Sequence, residues 1–134
     1  ANVAKNVRLM LQKVVEKGGT GTRARVATYD VGGKSGTVHS VGRNGYEDSQ
    51  YKALFAGVAP IDNPRVAAVV VIDGPQGQEY YGGEVAAPIF SRVMSGAMRL
   101  LNVTPDNLPL VADQWTTHSD KESGNSTNNS REKG

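Results

Sequence analysis

From Asn2 to Lys17 the apolar residues fall at Val3, Val7, Met10, Leu11, Val14 and Val15, a spacing that puts them on one face of a helix. Gly18-Gly19 ends the run, and Lys17 sits where a cation favours the C-terminal end of the helix dipole. No capping residue precedes Ala1, so the chain reads as starting at or inside this helix, and therefore as a fragment. The pattern then changes period. Arg25 to Val41 carries Val26, Tyr29, Val31, Val38 and Val41 among glycines and predicts an extended segment. Asn44-Gly45 is a turn signal, and Tyr51 to Ala59 alternates Tyr51, Ala53, Phe55 and Gly57 against Lys52, Leu54, Ala56 and Val58, the mark of a second strand.

Pro60 to Pro64 supplies the next turn. Val66 to Ile72 is a continuous small and β-branched run, which predicts a central strand buried on both faces, stopped by Gly74-Pro75. Between Gly82 and Asn102, Val85, Ala86, Ile89, Phe90, Val93, Met94, Ala97, Leu100 and Leu101 return to helical spacing, and Pro88 must lie in the first turn of that helix. From Thr116 to Gly134 the chain is rich in Ser, Asn and Thr and nearly free of apolar residues, which predicts a disordered polar tail. The expected fold is α+β: an antiparallel sheet of three strands between an N-terminal and a C-terminal helix, with a small core. Residues 1–104 form the folded part and residues 105–134 the tail.

Charge alters this picture little. The formal net charge is +2, but the Lys and Arg residues are scattered rather than gathered into a stripe with aromatics, so nucleic acid is not an expected partner. No apolar run approaches the roughly 18 residues of a membrane span, so no membrane contact is expected of this segment. Cysteine is absent, which removes disulfides and thiolate chemistry without settling the compartment. No His/Cys/Asp cluster suggests a metal, and Asp62, Asp73 and Glu84 lack the spacing of a paired-carboxylate site, so no metal or other cofactor is expected.

The segment with chemistry is Gly32-Gly33-Lys34-Ser35-Gly36-Thr37. A phosphate-binding P-loop would need glycine at position 28, where Thr28 stands, and a helix after the lysine, where Thr37-Val38-His39-Ser40-Val41 favours a strand. On a strand, Ser35 and Thr37 share one face, Lys34 adds a cation, and Gly36 admits a close approach. Two hydroxyls and an ammonium so arranged form a site for a carboxylate, each charge-assisted hydrogen bond contributing roughly 1.5–3 kcal/mol.

Lys34-Ser35-Gly36 also resembles the Lys-Thr/Ser-Gly motif of penicillin-recognising enzymes. Downstream, Phe55-Ala56-Gly57-Val58-Ala59-Pro60, Val69-Val70-Val71-Ile72-Asp73, Tyr80-Tyr81-Gly82-Gly83, Ala86-Ala87-Pro88-Ile89-Phe90-Ser91 and Gly96-Ala97-Met98-Arg99-Leu100-Leu101-Asn102-Val103 occur in that family's order and spacing. Together they resemble the C-terminal part of the transpeptidase domain of class B penicillin-binding proteins, in particular the septal peptidoglycan D,D-transpeptidase of Gram-negative cell division. The resemblance implies a serine acyl-enzyme mechanism acting on D-alanyl-D-alanine stem peptides, with β-lactams as acylating mimics. It implies Lys34 and Thr37 as catalytic residues, the Thr37 amide forming half of the oxyanion hole. Ser35, Gly36, Thr37, Tyr51, Tyr80, Tyr81 and Gly82 become substrate-binding residues. It further implies a location on the periplasmic face of the inner membrane, anchored by a segment outside this chain. The implied partners are the missing N-terminal part of the same protein and the division machinery.

The family's Ser-x-x-Lys and Ser-x-Asn motifs precede the Lys-Ser-Gly strand, and no serine occurs among the 33 residues before Lys34. The nucleophile is therefore expected outside this chain, and the fragment alone is expected to be inactive. Ser49-Gln50-Tyr51-Lys52 matches Ser-x-x-Lys only by letter, because on a strand that spacing separates the two side chains. Ser123-Gly124-Asn125 and Ser126-Thr127-Asn128 fall in the expected tail. His39 reads as a surface residue and His118 as incidental. The competing readings are a D,D-carboxypeptidase or serine β-lactamase, or a non-catalytic scaffold of the division machinery; labelling by a fluorescent penicillin separates the enzymes from the scaffold.

Overall fold

Residues 2–42 and 45–108 are described by the computed structural model of the chain. Helix α1 (Asn2–Val15) leads through a short 3-10 turn (Thr22–Ala24) to strand β1 (Gly32–Gly42). Strands β2 (Gly45–Ala59) and β3 (Val66–Asp73) follow, then a one-turn helix α2 (Gly82–Val85) and the longer α3 (Ala87–Leu100). The three strands form one antiparallel sheet in the order β1-β2-β3. Gly42 and Gly45 are register partners at the hairpin, whose expected Asn44-Gly45 turn lies partly outside the described residues. Of the expected tail at 105–134, residues 105–108 are described and those from 109 onward lie outside the described residues.

The core fills the space between one sheet face and α3. Phe55 of β2 meets Phe90 of α3 with ring centroids 4.9 Å apart, and both are fully buried with Met94 and Met98. On α3, Ala87, Phe90, Met94 and Met98 are buried at steps of three, four and four positions, so one stripe of the helix carries the packing. Val15 at the end of α1, with Ala24, Val26, Tyr29 and Val31 from the segment before β1, closes the same cluster. Pro88 sits in the first turn of α3, as its missing amide requires.

Three sequence expectations change in detail. The segment expected to be extended from Arg25 begins as a strand only at Gly32; Val26 and Tyr29 before it form an isolated bridge. The second strand starts at Gly45 rather than Tyr51: Gly45 and Tyr46 pair with Gly42 and Val41, and after a register shift the pairing resumes at Tyr51 with His39. The largest difference is β3, expected to be central and buried on both faces. It is an edge strand with one half-buried and one exposed face, Val69 and Val71 being 67% and 57% exposed. A β-branched run records that a strand favours extended backbone, but not how many sheet neighbours it has. At the other end, Val3, Val7 and Met10 of α1 are also exposed.

After α3 the chain is tied to the segment before β1. The Tyr29 hydroxyl donates to the Val103 carbonyl (2.6 Å), the Asp30 amide to Asp106 Oδ1 (2.9 Å), and Asn107 Nδ2 to Asp30 Oδ1 (2.8 Å). Asp106 and Asn107 thus brace the chain entering β1.

Candidate active site

Side chains alternate along β1, so Ser35, Thr37 and His39 share a face with their register partners Phe55, Ala53 and Tyr51. Toward β2 that face is core. Toward the free edge of β1 it opens into a cleft of about 250 Å³, walled by Thr20 of the glycine-rich loop, by Ser35 and Thr37, and by Tyr81 to Glu84. The Gly82 amide donates to Thr37 Oγ1 (3.0 Å), and the Ser35 hydroxyl donates to Thr20 Oγ1 (3.1 Å). A hydroxyl that accepts from a fixed backbone N–H keeps its own proton to give away. Thr37 is therefore set up as a donor into the cleft.

Lys34 leaves the strand on the opposite face and is exposed, but its ammonium folds back to donate to the Ser35 carbonyl (2.7 Å). The ammonium is thereby held against the backbone at Ser35, a residue of the cleft wall. Among the described residues Lys34 forms no ion pair, which leaves its charge uncompensated by a protein carboxylate. As the edge strand, β1 also offers backbone amides not used by β2.

Two glycines bring the cleft walls together. A Cβ on Gly82 would collide with the backbone carbonyls of Leu54 and Gly36, and one on Gly83 with the carbonyl of Thr20. Helix α2 can therefore seat its first turn directly on β1 and β2 only because both positions lack a side chain. Gly36 has a related role: its missing Cβ makes room for the Leu54 side chain, 2.8 Å from where it would stand. Arg23 fastens the cleft-lining Glu84 by an ion pair of 2.9 Å and also reaches Glu79 at 3.5 Å.

The aromatic residues form a row. His39 lies 4.4 Å from Tyr51, Tyr51 stacks on Tyr80 at 4.2 Å and 20°, and Tyr80 meets Tyr81 at 4.5 Å. Of these, Tyr81 lines the cleft and is 57% exposed. Tyr51 and Tyr80 stand behind it and fix its ring. The Tyr80 and Tyr81 hydroxyls share a hydrogen bond of 3.2 Å. That bond, then the charge Tyr80 would carry when ionised, then a little desolvation, raise the Tyr81 phenol above its ordinary pKa, so it remains a neutral donor.

The structure thus gathers Ser35, Thr37, Tyr81 and Gly82 around one cleft, with Lys34 at its edge and Tyr51, Tyr80 and Gly36 in support. Sequence reasoning did not single out Thr20, Gly83 or Glu84. A lone hydroxyl within Gly18-Gly19-Thr20-Gly21, and a second glycine after Gly82, were the available signals. Ser49 lies within strand β2, where Ser-x-x-Lys lacks the one-turn adjacency a helix would give it.

The fold is that of a penicillin-binding protein domain, and residues 1–95 match the penicillin binding protein transpeptidase domain, the family to which this chain belongs. The chain is 46% identical over 115 residues to the probable peptidoglycan D,D-transpeptidase PbpC of Pseudomonas aeruginosa, a match covering 84% of this chain and 20% of that relative. It is 42% identical over 107 residues to the peptidoglycan D,D-transpeptidase FtsI of Escherichia coli K12, covering 80% of this chain and 18% of the relative. Among solved structures it resembles the apo transpeptidase domain of Burkholderia pseudomallei penicillin-binding protein 3. There the TM-score is 0.70 at 43% identity, over 78% of this chain and 31% of that one. The chain therefore spans about a fifth of the curated relatives it matches.

Proposed function

We propose that this chain is the carboxylate-binding part of a serine D,D-transpeptidase that cross-links peptidoglycan during septum synthesis outside the cytoplasm. The observation that carries the reading is the Gly82 amide bonded to Thr37 Oγ1, beside Ser35, in a cleft edged by Lys34. In this reading Thr37 donates to the terminal carboxylate of a D-alanyl-D-alanine stem peptide, the Ser35 hydroxyl turns its one proton from Thr20 to the same carboxylate, and the Lys34 ammonium supplies the matching charge. The substrate is held extended along the edge of β1, with Tyr81 against its flank.

A serine supplied from outside these residues attacks the carbonyl of the penultimate alanine. Its proton passes to the departing terminal D-alanine, and an ester to the enzyme remains. The oxyanion formed in between accepts from the Thr37 amide, a contact whose removal typically costs on the order of 10²–10³ in rate. An amine from a neighbouring stem peptide then attacks the ester, a new amide forms, and the serine regains its proton. Penicillins enter the same way, their carboxylate taking the place of the substrate's.

The test uses the full-length protein and a fluorescent penicillin. Thr37→Val keeps the branched shape and removes the hydroxyl, and should slow acylation by about 10–100-fold, the worth of one charge-assisted hydrogen bond. Thr37→Ser should recover most of the loss. Acylation of the valine variant at the parent's rate would refute the reading.

A further inference from the structure

A second polar groove runs between α3 and the segment entering β1. It has a volume of about 510 Å³ and is lined by Arg25 with Val26 and Ala27 on one side, and by Ser91, Arg92, Ser95 and Arg99 of α3 on the other. No acidic side chain lines it. The three arginines are exposed and form no ion pair among the described residues. Glu16 and Asp30 lie in the neighbouring cavity that also contacts Arg25; Glu16 pairs with Lys13 (2.7 Å) and Asp30 accepts from Asn107 (2.8 Å).

The groove is braced rather than floppy. Arg25 Nε donates to the Val15 carbonyl (2.7 Å), which ties the guanidinium to the end of α1, and Ser91 Oγ donates to the Arg25 carbonyl. On α3, Arg92, Ser95 and Arg99 follow a three- and four-residue spacing, so they line up on one side of the helix, next to the stripe that packs the core. Like charges held on one strip repel each other, so such a strip lowers stability unless something negative lies along it.

From this we infer that the Arg25–Arg92–Arg99 groove, outside the transpeptidase cleft, is a docking site for an acidic peptide segment of another protein. The spacing selects this class of partner. Arg92 and Arg99 stand two helical turns apart, about 10.5 Å along the axis. A single phosphate cannot bridge that distance, whereas carboxylates on every third residue of a peptide in the polyproline II conformation, which has three residues per turn, fall on one face and repeat at about 9 Å. Ser95 between them offers a hydroxyl to the peptide backbone. A flat lipid surface fits less well, because the arginines line a recess between two segments rather than a projecting face.

The inference is tested on the full-length protein with a fluorescein-labelled peptide of four Glu-Gly-Ser repeats, followed by anisotropy in low salt. Arg92→Glu with Arg99→Glu should weaken binding by at least about tenfold, as expected for losing charge-assisted contacts and adding repulsion. Lys17→Glu with Arg65→Glu makes the same change in net charge elsewhere and should leave binding within a factor of about two. Inorganic phosphate and vesicles containing phosphatidylglycerol serve as competitors and should displace the peptide poorly. Three results would overturn the inference: no binding by the parent, equal weakening by both double variants, or displacement by vesicles at matched charge. A fourth would do so as well. If the arginine double variant melted far below the parent, the groove would be occupied by the remainder of the same protein.

Discussion

Replacing Lys34 by alanine in the full-length protein should slow acylation by a fluorescent penicillin by about 10–100-fold, the worth of one charge-assisted contact, while barely changing the melting temperature. The two halves of the expectation come from different observations. Lys34 is exposed and its one side-chain contact is the carbonyl of its neighbour, so removing it disturbs no packing, and surface substitutions of that kind stay within about 0.5 kcal/mol. Its charge, however, is the cation of the cleft edge, and no carboxylate among the described residues neutralises it. Lys34→Arg keeps the charge in a broader group and should lose less than alanine. Stopped-flow or gel-based acylation rates, with a thermal melt on the same samples, check both halves. An alanine variant acylated at the parent's rate would remove Lys34 from the chemistry.

Replacing Gly82 by alanine should damage stability and acylation together. The added methyl would occupy the space of the Leu54 and Gly36 carbonyls, which are backbone atoms of two paired strands and cannot turn aside. Helix α2 must then lift from the sheet, a change that typically costs about 1–3 kcal/mol. Lifting it also withdraws the Gly82 amide from Thr37 and shifts Tyr81, so acylation should fall at least as far as in Thr37→Val. Denaturant unfolding and acylation rate measured on one variant separate the effects. Retained acylation despite lost stability would mean that the Gly82–Thr37 bond does not set the hydroxyl.

These two residues also show how far the sequence could be read. Lys34, Ser35 and Thr37 were legible because a strand fixes side-chain direction by simple alternation, and the β-branched residues after Thr37 rule out the helix of a P-loop. The helical period of α3 and the place of Pro88 were legible for the same local reason. Sheet order was not. The run from Val66 to Ile72 reads as a buried strand, yet it lies at the sheet edge with Val69 and Val71 exposed, because strand neighbours are decided by long-range pairing. The split between α2 and α3 was likewise hidden, since Val85 and Ala86 continue the apolar spacing across the break. Thr20 escaped notice because it reaches Ser35 through the fold, fifteen positions away in sequence. The glycines at 82 and 83 were visible as letters, but their purpose depends on carbonyls supplied by other segments.

Everything proposed for the cleft depends on two hydroxyls meeting an anion. The most direct measurement is a crystal structure of the full-length protein acylated by a penicillin. The account predicts the drug's carboxylate within hydrogen-bond distance, about 2.6–3.2 Å, of both Ser35 Oγ and Thr37 Oγ1, with the acyl oxygen on the Thr37 amide. A carboxylate bound elsewhere, with the Thr37 hydroxyl donating to protein atoms instead, would contradict it.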